Sequence, residues 1–349
     1  MSAPDKNIDL GFLHITPFSP ENPGEGLHDA VDLFRYAETL GFQSGWVRTR
    51  HLQHGAPAPA VMLTALAAAT QRMQLGNAVI PMEFENPFHF AEDFAVADLL
   101  SGGRLRPGVS VHPPRFDADT AETIFGGGWD QDDYSYERIL KTLDLIRGRK
   151  IRDVQAYNGI GGDLDSETVQ PLSPGLADRF SYGAGSLRSA TWAGANGLGL
   201  LTSNISSTEN DVREFDEAVA AQIRAYRQAR ASSEHSGPGR VAVARVVIPT
   251  DGASDEQLAR WQAYVDARTP RTELVHGEKT IISPDLIGPS RQIVEQLRTN
   301  PALALADELI FELPFEWPSE DWRRLLLTLA GPVAAGLRDA GVQDSEGEE

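Results

Sequence analysis

The chain has 349 residues, 41% apolar and 23% charged, with no cysteine and a formal net charge of −19. That length can bury a substantial core. The missing cysteine excludes disulfides, thiolate metal sites and a Cys nucleophile, and the acidic balance argues against nucleic acid or anionic membranes as partners. No apolar run approaches the roughly 18–20 residues of a spanning helix, and the first fifteen residues lack a basic start followed by an apolar stretch. Neither an anchor nor a signal peptide is therefore expected, and a cytoplasmic location is.

In chain order, residues 8–15 are apolar enough for a buried strand. Val31, Phe34, Ala37 and Leu40 recur at helical spacing, so a helix is expected over 28–41 with Gly41 as its stop. A short strand at 44–48, an Ala-rich helix at 57–73 and a strand at 74–80 follow. Asn86-Pro87 opens a helix, with Asn as cap and Pro in the first turn, that ends at Ser101-Gly102-Gly103. Residues 104–111 read as strand four. The stretch 112–133 is rich in Pro, Gly and Asp and reads as a long loop. A helix over 134–147 and an irregular stretch over 148–177, with Gly161-Gly162, come next. A long helix at 209–230, a strand at 240–250, an extra helix at 254–268 and a polar insertion to about 288 precede a helix at 289–298. A strand at 307–314 and a helix over 319–330, capped by Ser319, close the series.

The segment 179–204 organises the rest. It reads as strand, glycine turn, helix and strand, with Ser186 placed to cap the helix from Leu187 to Ala195 and Asn196-Gly197 as its stop. A helix start carries unpaired N–H donors and positive dipole potential, which suits a phosphate. Arg188 occupies the third glycine position of a dinucleotide fingerprint, and no acidic residue follows about 20 positions on, so that fold is rejected. Eight strands, each followed by a helix, predict an α/β fold. The form expected is a (β/α)8 TIM barrel with insertions after strands 4 and 7, a single domain over 1–349, in preference to a doubly wound open sheet. Function then lies at the carboxy-terminal strand ends: His14, Thr16, Arg48 to His51, Glu83, Glu85, Ser110, His112, Gly183 to Arg188, Thr202 to Asn204, Thr250 and Glu312. Arg48, Arg50, Arg115 and Arg188 could gather around an anion. His51 and His54 have no third ligand at recognisable spacing, so no metal site is expected.

Four blocks, LGFQSGWVRTRH, QLGNAVIPMEFENPFHFAEDFAVADLLSGGRLRPGVSV, RFSYGAGSLRSATWAGANGLGLLTS and GPSRQIVEQL, together resemble the bacterial-luciferase-like flavin-dependent monooxygenases. The resemblance implies a dimeric barrel that binds reduced FMN, or in some branches F420, in its mouth. It places the phosphate on Gly185 and Ser186, with Gly183, Arg188 and Ser189 beside it. It matches Ala78-Val79 to a non-proline cis peptide under the ring, Ser110 and Val111 to ring-edge positions, and Thr202 to a ring contact. Two departures stand out: Thr49, Arg50, His51 replaces an acidic residue and two histidines, and Val111 stands where a phosphate-holding Arg is found. The implied activity is a monooxygenase using FMNH2 and O2 on a small organic substrate, supplied by a separate flavin reductase. His51 is the acid–base candidate, and Arg50 or Arg48 the anion stabiliser. F420-dependent hydride transfer and a non-catalytic flavin-binding subunit are the alternatives. Residues 112–133 and 269–288 are candidate lids.

Overall fold

The computed structural model describes residues 8–151, 166–209, 214–235, 237–274, 280–315 and 317–338. Gly161-Gly162 and the acidic tail from Asp344 lie outside the described residues.

The chain opens with β1 (Asp9–His14), α1 (Pro23–Thr39), β2 (Ser44–Val47) and α2 (Pro59–Ala69). Strand three is interrupted, as β3 (Gln74–Asn77) and β4 (Ile80–Pro81), and α3 (Pro87–Ser101) follows. Strand four is interrupted at Pro107, as β5 (Leu105–Arg106) and β6 (Gly108–Ser110). Then come α4 (Ala118–Phe125), α5 (Tyr136–Ile146), β7 (Ser181–Ala184), α6 (Leu187–Ala195), β8 (Gly199–Thr202), the short β9 (Ile205–Ser207) and α7 (Phe215–Ala231). The last third holds β10 (Val241–Arg245), β11 (Val247–Pro249), α8 (Asp255–Leu274), β12 (Thr280–Ile282), β13 (Leu286–Gly288), α9 (Ser290–Arg298), β14 (Glu308–Glu312), α10 (Ser319–Thr328) and α11 (Ala334–Arg338).

Ten strands form one curled parallel sheet, ordered β4-β6-β7-β8-β10-β14-β1-β2-β3-β5. The two ends of that order come from the same neighbouring pair of chain runs: β3 pairs β5 through Leu75 and Leu105, and β4 pairs β6 through Ile80 and Val109. Strand side chains alternate between faces. On β1, Phe12 joins the large core under the helices, whereas Leu13 turns to a second, smaller cluster with Trp46, Leu201, Ala242, Ala244 and Ile310. Gly76 makes room for Trp46 there, since a Cβ at 76 would lie 2.4 Å from the indole ring.

Several expectations are corrected. α1 starts at Pro23 rather than 28, because its first turn is surface-exposed and carries no apolar period. The expected strand 240–250 divides: β10 stays in the main sheet, but β11 pairs with β13 in a separate two-stranded sheet. Its partner comes from the stretch read as a polar insertion, whose remaining strand, β12, pairs antiparallel with β9. The stretch 112–133 is not all loop but contains α4, capped by Asp117 on the Thr120 N–H. Ser319 does not cap α10; Pro318 holds the cap position with no side-chain bond, and Ser319 is the first helical residue. Asn86 does cap α3, accepting from the Phe88 and His89 N–H groups.

Candidate active site

A cavity of about 560 Å³ opens at the carboxy-terminal ends of the strands. Ala78, Val79 and Leu13 line it together with Ala244 and Leu201, so its floor is the small apolar cluster inside the sheet. The Ala78-Val79 peptide is cis. Gly183 faces Val79 so closely that a Cβ would lie 2.7 Å from its Cγ1, whereas a Cβ at Gly185 would meet only the Ile205 carbonyl at 3.6 Å. Arg48 enters from β2, its Nε 3.4 Å from the Ala78 carbonyl and its Nη1 3.0 Å from Glu312 Oε1. Ser110, His112 and Thr202 add polar groups to the wall. Among the described residues the buried Thr202 Oγ1 has no hydrogen-bond partner, nor has Asn77 Oδ1 just behind the cis peptide.

Of the residues assigned from sequence, Ala78, Val79, Ser110, Gly183, Gly185 and Thr202 line this one cavity. Val111 does not: strand alternation sends it to the other face, against the outer core. Arg50 and His51 stand on the loop beyond β2 and point apart. Arg50 lies 5.7 Å over the Phe315 ring and bonds Gln53 at 2.9 Å. His51 stacks on Phe84 at 4.1 Å and 11°, and burial lowers its pKa. Phe84 in turn contacts Phe116 and Phe125 from the 112–133 segment.

The start of α6 is not bare, as its sequence suggested. Ser186 and Ser189 form a reciprocal capping box, with the Ser189 N–H donating to Ser186 Oγ at 3.2 Å. The Leu187 N–H donates to Glu209 Oε2 at 2.8 Å, so a carboxylate already sits on the positive end of the helix. No local pattern signals Glu209, since it arrives from beyond β9. Arg188 is exposed.

From sequence, Glu83 and His112 stand at strand ends, and Glu83 could also join Glu85 and Glu312 as a carboxylate pair for glycoside hydrolysis; the structure instead pairs Glu83 with His112, whose Nε2 lies 2.9 Å from Glu83 Oε1. Burial pushes the pKa of Glu83 up, and that of Glu85 up to about 7. Among the described residues no group of three or more His, Asp or Glu is placed to hold a metal ion, and no helix is long and apolar enough to cross a membrane.

Known proteins share this architecture. The oxygenating component of 3,6-diketocamphane monooxygenase from Pseudomonas putida, solved in complex with FMN, superposes with a TM-score of 0.69 at 13% identity, covering 94% of this chain and 98% of that one. The coenzyme F420-dependent tetrahydromethanopterin reductase from Methanopyrus kandleri gives 0.61 at 16% identity, covering 95% and 99%. In sequence, limonene 1,2-monooxygenase from Rhodococcus erythropolis is 26% identical over 211 residues, which is 55% of this chain and 52% of that protein. With a match to the luciferase-like monooxygenase family running over residues 8–313, the chain belongs to that family.

Proposed function

We propose that this chain is a flavin-dependent monooxygenase that takes reduced FMN into the strand-end cavity and oxygenates a small organic substrate with O2. The observation that carries this reading is convergence. Six residues that the family resemblance gives to the cofactor, from the break between β3 and β4 and from the ends of β6, β7 and β8, line one cavity. Its volume falls in the range of cofactor sites, and the Thr202 hydroxyl offers a bond that no group among the described residues takes. The residues present fit the group. Ala78 and Val79 would lie under the ring, Ser110 and Thr202 at its edge, and Gly183 and Gly185 would admit the chain that leads to Ser186, Arg188 and Ser189. Bound reduced flavin supplies the electrons for oxygen activation. The apolar floor keeps water from beneath the ring. Arg48, held by Glu312 and the Ala78 carbonyl, sets a fixed positive charge beside it. Arg50 and His51 are the anion-stabilising and acid–base candidates on the substrate side.

F420-dependent hydride transfer is the second reading. It draws on Arg50, which makes no ion pair among the described residues, and on the exposed Arg188: a longer acidic cofactor tail would find cations at the rim. Titration of the protein with FMN, FMNH2 and F420, followed by fluorescence, separates the readings. Binding of none of them defeats both, and binding without oxygen consumption or hydride transfer across a substrate panel favours a non-catalytic flavin-binding subunit. We read the curled sheet as a closed (β/α)8 barrel in one domain, with insertions after its fourth and seventh strands. A cytoplasmic homodimer served by a separate reductase completes the reading. Val61 on α2 and Leu100 on α3, 71% and 70% exposed, offer the apolar face such a dimer would cover.

A further inference from the structure

His112 follows β6, lines the cavity and leaves 46% of its side chain exposed. Its Nδ1 lies 3.0 Å from the Pro113 carbonyl. A carbonyl oxygen can only accept, so Nδ1 carries a proton. The remaining nitrogen, Nε2, lies 2.9 Å from Glu83 Oε1. One proton occupies that contact, either as carboxylic acid beside neutral imidazole or as carboxylate beside imidazolium. Glu83 is 2% exposed, and its second oxygen, Oε2, has no hydrogen-bond partner among the described residues. The groups around the pair come from α5, the turn before it, β7 and Glu83's own segment. Arg138 on α5 bonds the Met82 and Glu85 carbonyls, and Tyr134 lies 5.5 Å beneath that guanidinium; Tyr182 stands on β7 and Glu85 beside Glu83. None of them donates a hydrogen bond to Glu83, so His112 is its outlet toward the cavity. His51 has no such arrangement: it stacks on Phe84, and its Nε2 has no partner among the described residues.

We infer that His112 is the catalytic proton donor to the ligand in the cavity, and that Glu83, which stays behind the ring, is the positioning residue that holds and recharges it. The inference rests on the flavin reading for what the ligand is. The Nδ1–H bond breaks as the proton passes to an anionic atom of the ligand. Where the shared proton rests on Glu83, the Oε1–H bond breaks and an Nε2–H bond forms; where it rests on Nε2 already, it stays there, and either way a neutral ring and a carboxylate remain. Water at the exposed edge of His112 returns the proton. One proton crosses to the ligand and no electrons move between protein groups. The neighbouring Pro113 contact is local and solvent-exposed, so it yields easily to a better acceptor.

Glu83→Gln tests this cleanly, because an amide can still hydrogen-bond Nε2 yet has no proton to pass. Nitrogen-15 spectra of the cofactor-free protein should show His112 with a protonated Nδ1. The Nε2 signal should move in Glu83→Gln and return toward wild type in Glu83→Asp, while the His51 signals stay put. Single-turnover reoxidation of protein-bound FMNH2 by O2, followed against pH, should slow by about tenfold or more in His112→Gln and Glu83→Gln. FMN affinity should stay within about threefold of wild type, since neither residue is asked to hold the cofactor. An Nε2 signal indifferent to Glu83→Gln, or a wild-type pH profile in His112→Gln with binding retained, overturns the inference and leaves the flavin reading standing. A wild-type protein that binds neither FMN nor F420 fails the flavin reading on titration alone.

Discussion

Glu308 and Glu312 stand four residues apart on β14, on the same face of the sheet, one at each end of the strand. At the amino-terminal end every oxygen of Glu308 is used. Oε1 accepts from Ser44 and from Trp46 Nε1 at 2.9 Å, and Oε2 from Arg106 at 2.7 Å and Arg240 at 3.1 Å. Arg106 also lies 4.7 Å over the Trp46 ring, and Arg240 reaches Asp9. At the carboxy-terminal end Glu312 pairs with Arg48, and its Oε2 has no partner among the described residues. Glu83 Oε2, Thr202 Oγ1 and Asn77 Oδ1 are also buried and unpaired around that end. A satisfied ionic network holds the amino-terminal end of the strand, whereas polar atoms without a partner among the described residues gather at its other end, where the flavin reading puts the ligand.

The contrast breaks most sharply at Glu308. Burial pushes its pKa up, but Arg106 and Arg240 outweigh burial and hold it below the ordinary glutamate value. Its stabilisation is therefore complete above the unfolded value and lost as pH falls through the lower folded one. Glu308→Ala strands two buried or half-buried guanidinium groups and should cost about 3–5 kcal/mol in urea unfolding. A loss below about 1 kcal/mol would show that the amino-terminal network is not structural in this sense. Gly183→Ala is the counterpart at the other end. Its φ is ordinary, so the cost is the new methyl meeting Val79, about 1–3 kcal/mol of stability. FMN affinity should fall by about tenfold or more, since the ring would rest on the displaced residues. Unchanged binding would move the ring elsewhere.

The two ends also differ in the sign of their pH dependence. Burial first, and the Asp93 charge second, push Glu85 up to about 7. The folded protein then holds a proton that the unfolded chain has released, so this group's contribution to stability falls as pH rises from the ordinary glutamate value through 7. Glu85→Gln should flatten the loss between pH 5 and 8 by on the order of 1 kcal/mol, allowing for partial solvent screening. Denaturant midpoints at the two pH values measure it, and an unchanged slope would place Glu85 in solvent.

What could be read from the sequence follows distance along the chain. The Asn86 cap, the Ser186 cap and the glycine stop at the end of α3 each depend on residues within a turn or two, so composition and spacing reveal them, although the reciprocal bond from Ser189 was not among the expectations. Alternation of strands and helices is likewise local. The β11–β13 pairing is not, because the partner lies beyond α8 in a segment with no strand pattern of its own. Side-chain direction is legible only inside regular strands. Ser110 and Val111 differ in fate by one register step, and the sequence alone offered both. Beyond the strands even that rule is lost. Arg50 and His51 sit just before Leu52, which adopts φ 55°, and no periodicity predicts that this bend turns one toward Phe315 and the other toward Phe84. Glu83 and His112 were visible as residue types, but their pairing needs two strand ends in register.

Glu209 tests the smallest difference, at the edge of the carboxy-terminal site. β9 is braced by β12, and its Ser207 N–H donates to the Gly185 carbonyl at 2.7 Å, so the segment 205–209 lies over the glycine turn. Glu209 then places its carboxylate on the Leu187 N–H, where the flavin reading puts a phosphate. Two anions cannot share that donor, so a bound phosphate would have to displace the carboxylate or settle on its neighbours beside it. A charge at a helix start is worth about 0.3–1 kcal/mol. Glu209→Gln should therefore cost only a few tenths of a kcal/mol in folding stability while tightening FMN about two- to fivefold, with riboflavin, which has no phosphate, unaffected. Equal tightening of riboflavin would mean that the segment acts as a steric cover. Weaker FMN binding would mean that Glu209 holds the turn in its binding shape, and that this corner belongs with Glu308 among the structural carboxylates.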